Sequence, residues 1–115
     1  MPKESPDGQT VYYVKDDQVW RVAAGGGREE RVCSEPVDEY NLAVTVNGIY
    51  FIPPAGMPFR YSIRFFSFAT GKVEVVTQLV KPPALGLAVS PDETWLLYSQ
   101  YDQEGSDLML VDNFR

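Results

Sequence analysis

The chain of 115 residues contains no histidine and a single cysteine, Cys33. Without histidine, a serine or cysteine nucleophile lacks its usual general base, and the commonest metal ligand is missing. One cysteine can neither close an intramolecular disulfide nor supply the usual ligand set of a zinc site. We therefore expect Cys33 to be a small apolar filler of an outer strand. No catalytic residue, metal or cofactor is predicted.

Two acidic stretches have residue types that could do chemistry, and both are better explained as turns. Asp16 and Asp17 are sequence neighbours in a hairpin turn, so their side chains point apart and no apolar surroundings shift a pKa. Asp102–Asp107 alternates oxygen ligands, but a calcium loop needs Gly at its sixth position and Glu at its twelfth. Asp107 and Asn113 stand there instead, so we expect a solvated hairpin loop.

A glycine run and an aromatic strand also lack the context of a ligand site. Gly25-Gly26-Gly27 is not followed by Gly-Lys-Ser/Thr or a helix, so it predicts a turn rather than a phosphate loop. The aromatic residues of Tyr61–Phe68 are explained by packing between sheets without a nucleic acid. A net charge of −6, with ten scattered Lys and Arg residues, also argues against nucleic-acid and anionic-membrane surfaces.

Nothing in the sequence assigns the chain to a compartment. No apolar run approaches the ~18 residues that a membrane helix needs. No charged stretch followed by an apolar stretch marks a secretory leader. The expected location is therefore left open between cytoplasm and periplasm.

The best candidate for a binding surface is the loop 53–60, which is rich in proline and glycine. It is longer than the neighbouring connections, and binding residues concentrate on such loops. We predict that Met57, Phe59, Arg60 and Tyr61 bind a partner. The alternative is a loop that folds back to cover the edge of a sheet.

Three similar turns divide the chain, and each precedes an apolar strand. The turns are Ser5-Pro6-Asp7-Gly8, Thr45-Val46-Asn47-Gly48 and Ser90-Pro91-Asp92-Glu93. Ser and Pro suit the first two positions of a type I turn. Spacings of 40 residues from Ser5 to Thr45 and 45 from Thr45 to Ser90 suit a four-stranded repeat of ~40–50 residues.

The predicted strands are apolar on both faces. In the last strand, Leu108 and Leu110 point to one side, whereas Met109 and Val111 point to the other. A free antiparallel sheet normally has one polar face, so two apolar faces indicate a sheet packed on both sides, as in a β-propeller blade. No segment shows the apolar spacing of a helix. We therefore predict an all-β chain, a β-propeller segment of about three blades.

This segment forms a single domain, 1–115, with blades at 5–35, 38–80 and 84–115. Ten antiparallel strands are predicted. They are Thr10–Lys15, Val19–Ala23 and Glu30–Cys33 in blade one; Asn41–Val46, Gly48–Ile52, Tyr61–Phe68 and Val73–Leu79 in blade two; and Leu85–Val89, Trp95–Tyr101 and Asp107–Val111 in blade three.

The C-terminal blade also resembles a known family. Ser90-Pro91-Asp92 before an apolar strand, followed by the run Ser106–Val111, is similar to the repeat of TolB-type, WD-like bacterial β-propellers. The resemblance covers most of the chain and is strongest at this end. Two positions depart from the pattern: the middle turn lacks proline, and Glu93 stands where glycine is usual. Similar propellers are attached to bacterial serine/threonine kinases and winged-helix regulators, so the resemblance implies a sensory domain as one possibility.

Three blades cannot close a ring, because propellers have at least four. On the predicted strand count, the first blade lacks its inner strand and the third blade lacks its outer strand. An open arc of three blades would also leave two apolar sheet faces in water. Two arcs related by a twofold axis along the channel would form a six-bladed ring. We therefore expect a homodimer. The alternative is a truncated product whose partner blades are lost.

The leading functional hypothesis is a non-catalytic binding or scaffolding module for a protein or peptide partner. It follows from the fold by analogy, since propellers host many unrelated activities. The alternatives that the resemblance implies are the accessory propeller of a hydrolase, as in prolyl oligopeptidases, or a carbohydrate-binding, glycosidase-type propeller. A glycosidase would need two facing carboxylates at the channel mouth. Asp7, Asn47 and Asp92 lie at equivalent turns, and their spacing repeats for structural reasons.

Overall fold

The computed structural model describes residues 2–54, 61–102, 105–112 and 114. All regular secondary structure in these ranges is strand, in three antiparallel sheets, which confirms the prediction of an all-β chain. No helix in the described residues has the length and apolar character to cross a membrane. Sheet 1 contains β1 (Lys3–Glu4), β2 (Thr10–Lys15), β3 (Gln18–Ala23) and β4 (Glu30–Cys33). Sheet 2 contains β5 (Leu42–Val44), β6 (Gly48–Phe51), β7 (Tyr61–Ser67) and β8 (Val73–Leu79). Sheet 3 contains β9 (Pro83–Val89), β10 (Trp95–Asp102) and β11 (Gly105–Asp112).

The described residues form eleven strands rather than the ten predicted. The additional strand, β1, pairs antiparallel with β2 through Lys3 opposite Tyr12 and Glu4 opposite Val11. Sheet 1 therefore has four strands, and the prediction that it lacks its first one is wrong. A strand of two residues is too short to show the alternation by which strands are recognised in a sequence.

The acidic stretch Asp102–Asp107 is mostly strand rather than the predicted loop. Asp102 pairs with Gly105, and Gln100 pairs with Asp107, so β10 and β11 continue close to the hairpin tip. Only residues 103 and 104 separate the two strands, and they lie outside the described residues. The prediction was wrong because polar residues are compatible with an edge strand.

Sheet 2 lies between the other two sheets, and its strand β6 is buried at every position. Ile49 and Phe51 face sheet 1, whereas Tyr50 and Ile52 face sheet 3. This alternation follows from the two-residue period of a strand. The prediction of a sheet packed on both faces is confirmed for sheet 2.

Two apolar interfaces hold the three sheets together. The first interface, between sheets 1 and 2, contains the buried residues Tyr12, Val19, Cys33, Val37, Leu42, Ile49, Phe51 and Phe66. The second interface, between sheets 2 and 3, contains Tyr50, Ile52, Ile63, Phe65, Leu87, Leu96 and Tyr98. Each large side chain removed from water contributes about 1.5–3 kcal/mol, so these interfaces are the main stabilising feature of the fold.

The three turns that precede β2, β6 and β10 close with related backbone hydrogen bonds. The amide of Ser5 donates to Thr10 and that of Ser90 donates to Trp95, while the amide of Thr45 donates to Gly48. The middle turn is therefore shorter, and Thr10, Gly48 and Trp95 occupy equivalent positions at the start of their strands.

Gly48 lies at a point where β7 leaves no room for a side chain on β6. A Cβ atom at residue 48 would lie 2.0 Å from the carbonyl oxygen of Phe66 and 2.7 Å from the ring of Phe65. A backbone oxygen cannot move away as a flexible side chain could. Only glycine therefore fits at this position.

We expect Gly48→Ala to lower the free energy of unfolding by about 3 kcal/mol or more, because the methyl group forces β6 away from β7. Urea denaturation measures the change. Gly25→Ala is the matched control: a Cβ atom there meets nothing within 4 Å, so stability should stay within about 1 kcal/mol of wild type. Equal stability of the two variants would contradict the close approach.

Candidate functional site

A buried carboxylate connects sheets 2 and 3 at one end of the second interface. Glu93 is only 5% exposed and accepts hydrogen bonds from the Thr45 hydroxyl at 3.2 Å, the Asn47 amide at 2.5 Å and the Tyr50 hydroxyl at 2.9 Å. All three donors belong to sheet 2 or to the turn that precedes β6. We call this set the Glu93 clasp.

The backbone of Glu93 has a φ of 58°, in the left-handed region that favours glycine. A non-glycine residue there costs about 1 kcal/mol or more. The hydrogen bonds to Thr45, Asn47 and Tyr50 offset that cost, which gives a physical reason for glutamate where the first turn has Gly8.

A second polar connection joins the inner strands of sheets 2 and 3. Asn41, just before β5, is 1% exposed. Its side-chain amide donates to the Ala84 carbonyl at 3.0 Å and its side-chain oxygen accepts from the Gly86 amide at 2.9 Å. The side chain thereby satisfies one donor and one acceptor of β9, as a neighbouring strand would.

The aspartates of the outer two turns are used within their own turns. Asp92 accepts from the Ser90 hydroxyl at 2.7 Å and from the Thr94 hydroxyl and amide, and these hydrogen bonds lower the pKa of its carboxyl. Asp7 accepts in the same way from Ser5 and Gln9, which lowers its pKa as well. Hydrogen bonds favour the charged form of a carboxyl. Both aspartates therefore have local partners, in agreement with their interpretation as turn residues.

A recess lined by acidic side chains lies at the other ends of β2 and β6, away from the turns that precede these strands. It has a volume of about 450 Å³ and lies where the β2–β3 turn, the connection between β4 and β5, and the end of β6 meet. Its lining residues are Val14, Asp16, Asp17, Asp38, Glu39, Tyr40 and Pro54. Four of them are carboxylates, and none of these described lining residues is cationic. We call this feature the acidic recess.

Backbone hydrogen bonds fix the shape of the acidic recess. The amide of Val37 donates to the Asp17 carbonyl at 2.7 Å, and the amide of Asp38 donates to the Ile52 carbonyl at 3.1 Å. Val37 is 1% exposed and anchors the connection in the first interface. The Asp38 carboxylate accepts from the Tyr40 amide at 3.0 Å, which leaves the Tyr40 side chain 48% exposed at the rim.

The acidic recess was not predicted from the sequence, which indicated only a turn at Asp16 and Asp17. Asp16 and Asp17 form the predicted two-residue turn, with φ values of 54° and 62°, as hairpin turns of this length require. Asp38, Glu39 and Tyr40 were not singled out as candidates. Their acidic and aromatic types were a signal, but only the fold brings them beside the β2–β3 turn.

The predicted binding residues are placed only in part. Met57, Phe59 and Arg60 lie outside the described residues. Tyr61 begins β7, pairs with Leu79 and is partly buried. Its role in binding stays a prediction.

Cys33 packs among the apolar side chains of the first interface, on the outermost strand of sheet 1. Burial raises the pKa of its thiol, which disfavours the reactive thiolate. Among the residues that the structure describes, no group of three or more His, Cys, Asp or Glu side chains is arranged to hold a metal ion.

Within the described ranges, the outward faces of sheets 1 and 3 have no sheet packed against them. On sheet 3 this face carries Trp95, Leu108 and Leu110, which are 38%, 69% and 61% exposed, together with Leu97 opposite Leu110. On sheet 1 the corresponding face carries Val11, Tyr13, Trp20 and Val22, because Tyr12 and Val19 point into the first interface. We call these the sheet 3 outer face and the sheet 1 outer face.

Comparison with known proteins supports the fold. No family model and no curated protein matches this chain. A chain in the crystal structure of a nidogen/laminin complex is similar, with a TM-score of 0.65 and 14% sequence identity. The match covers 98% of this chain and 44% of that chain, so this chain spans less than half of its length. That neighbour is of β-propeller type, which is consistent with three successive propeller sheets.

We expect Glu93→Ala to lower the free energy of unfolding by about 2–4 kcal/mol, because the buried Tyr50 hydroxyl and the Asn47 side-chain amide lose their hydrogen bonds to the carboxylate. Glu93→Gly loses the same acceptor but relieves the left-handed backbone, so its loss should be smaller by about 1 kcal/mol. Thermal and urea denaturation measure both variants. A wild-type stability for Glu93→Ala would contradict the role of the clasp.

The Asp92 turn predicts a pH dependence with a defined sign. The pKa of Asp92 is lowered in the folded chain. Its ionised form therefore stabilises the fold at pH values above its ordinary pKa of 3.8. This contribution is lost as the pH falls through the lowered pKa. The stability difference between wild type and Asp92→Asn should therefore shrink as the pH is lowered from about 6 to about 3. Urea denaturation across this range measures it. A difference that does not change with pH would refute the assignment.

Proposed function

We propose that this chain is a non-catalytic binding module built from three β-propeller blades, and that its acidic recess binds a peptide segment that carries Lys or Arg. The observation that supports the proposal is the set of four carboxylates around one recess, with the exposed ring of Tyr40 at its rim. The likeness to a β-propeller chain and the resemblance to TolB-type repeats favour a binding or sensory role. Neither identifies a ligand, because propellers host many unrelated activities.

The charges of the acidic recess favour a cationic ligand. Asp16 and Asp17 come from the β2–β3 turn, while Asp38 and Glu39 come from the connection that follows β4. A site lined by one sign of charge attracts the opposite sign and raises the association rate. The Tyr40 ring adds a surface on which a guanidinium or ammonium group can stack.

The recess also suits a peptide because little ordering is needed before binding. Its two walls are joined through the backbone bonds from Val37 to Asp17 and from Asp38 to Ile52. A preformed site avoids the entropic cost of ordering loops when the ligand arrives. Pro54, at the start of the predicted binding loop, lines the same recess, so the two candidate surfaces adjoin each other.

The test is the affinity of the chain for a fluorescent peptide that alternates Lys or Arg with glycine, measured by anisotropy. The triple variant Asp16→Asn, Asp38→Asn, Glu39→Gln keeps similar shapes and removes three charges. Exposed charge pairs contribute about 0.2–1 kcal/mol each, so the loss of three should weaken binding by about threefold to a hundredfold and make it less sensitive to salt.

Glu74→Gln is the matched control, because Glu74 is exposed on β8, outside the residues that line the acidic recess. It should bind the cationic peptide as wild type does. A glutamate-containing peptide of the same length should bind weakly to all variants. Unchanged affinity in the triple variant, or equal binding of the acidic peptide, would overturn the proposal.

A further inference from the structure

We infer that two copies of this chain associate head to tail, with the sheet 3 outer face of each copy packed on the sheet 1 outer face of the other, to form a closed ring of six sheets. The inference rests on the propeller arrangement of the proposed function but not on its peptide ligand. Solution mass and peptide affinity report on the two proposals separately.

The first argument is that the two outer faces repeat the positions that form the internal interfaces. Because Thr10, Gly48 and Trp95 are equivalent, Val11 corresponds to Ile49 and Leu96, and Tyr13 corresponds to Phe51 and Tyr98. Within the chain, these positions on sheets 2 and 3 are buried against the preceding sheet; the residues are Ile49, Phe51, Leu96 and Tyr98. On sheet 1 the same positions are apolar, but no described sheet precedes them.

The opposite faces repeat in the same way. Tyr12 on sheet 1 and Tyr50 on sheet 2 pack against the following sheet. Leu97 occupies the equivalent position on sheet 3, paired with Leu110 on β11, and no sheet of the described chain follows it. The three sheets therefore present one half of the inter-sheet interface on sheet 1 and the other half on sheet 3, and a second copy supplies both missing halves.

The second argument is the area that the chain exposes. Its accessible surface is 7152 Å², whereas a compact monomer of 12.9 kDa exposes about 6,300 Å². The excess of roughly 850 Å² has the sign expected of a chain whose two outer faces are uncovered. Leu108, Leu110 and Trp95 are among the residues that contribute to it.

The third argument is the chemistry of the sheet 1 outer face, where aromatic rings and the stem of a lysine side chain form a surface that an apolar partner face can cover. Lys15 lies 4.1 Å from the ring centroid of Trp20 and forms an ion pair with Glu29, which also accepts a hydrogen bond from Tyr13. The apolar sheet 3 outer face can cover the aliphatic part of Lys15 and the adjacent rings.

The test is the mass of the chain by sedimentation velocity and light scattering over the micromolar range. We expect a species of twice the 12.9 kDa chain mass. Leu110→Lys alters the sheet 3 outer face, and Val22→Glu alters the sheet 1 outer face. In a dimer of one variant, each of the two interfaces contains one altered face. Each variant alone should weaken dimerisation at least about a hundredfold. An equimolar mixture should recover a dimer, because one wild-type interface is restored and the other pairs Lys with Glu.

Val80→Lys is the matched control, because Val80 is 98% exposed and lies in the connection between β8 and β9, outside both faces. It should dimerise as wild type does, and far-ultraviolet circular dichroism should show that every variant is folded. If Val22→Glu does not fold, Val11→Glu alters the same face. A monomeric wild type, as expected if further sheets of a longer chain cover these faces, would overturn the inference. A dimer that Val22→Glu leaves intact would overturn the head-to-tail arrangement.

Discussion

The structure depends on the complete burial of strand β6, which has one apolar interface on each side. Ile49 and Phe51 fill the first interface, and Tyr50 and Ile52 fill the second. A strand that is buried on both faces can carry a polar side-chain group only where that group has a partner, as the Tyr50 hydroxyl has in Glu93, and its backbone groups must pair with neighbouring strands because water is excluded. Sheets 1 and 3 are therefore required by sheet 2, and their positions follow from its two faces.

Polar contacts give these apolar interfaces a defined register. Apolar contact is not directional, so it permits two sheets to slide or rotate relative to one another. Glu93 and Asn41 each join sheets 2 and 3 through hydrogen bonds with fixed geometry. Arg64 forms an ion pair with Glu35 at 2.6 Å, which joins β7 to the connection that follows sheet 1. Buried polar groups such as Glu93 and Asn41 are costly when unpaired, so they favour one arrangement of the sheets over others.

The fold was largely predictable from the sequence because its signals are local. The turn from Ser90 to Glu93 and the apolar run from Ile49 to Ile52 indicate strand positions by residue type and alternation alone. β1 was missed because Lys3 and Glu4 carry no such pattern. The β10–β11 hairpin was assigned too long a loop because the polar residues near its tip are compatible with either conformation. The candidate site was much less predictable, because it depends on long-range proximity: contacts such as the backbone bond between Val37 and Asp17 bring the two walls of the acidic recess together. No local pattern encodes the distance between a side chain and a group on another sheet.

The Glu93 clasp limits how far this chain can be treated as a series of interchangeable repeats. Its acceptor lies in the turn before β10, whereas its donors lie in and before β6, so neither sheet carries the complete connection. Duplication or grafting of one sheet would separate the carboxylate from its donors unless both turns were transferred together. Recombination that preserves this connection must therefore transfer two adjacent sheets together rather than a single sheet.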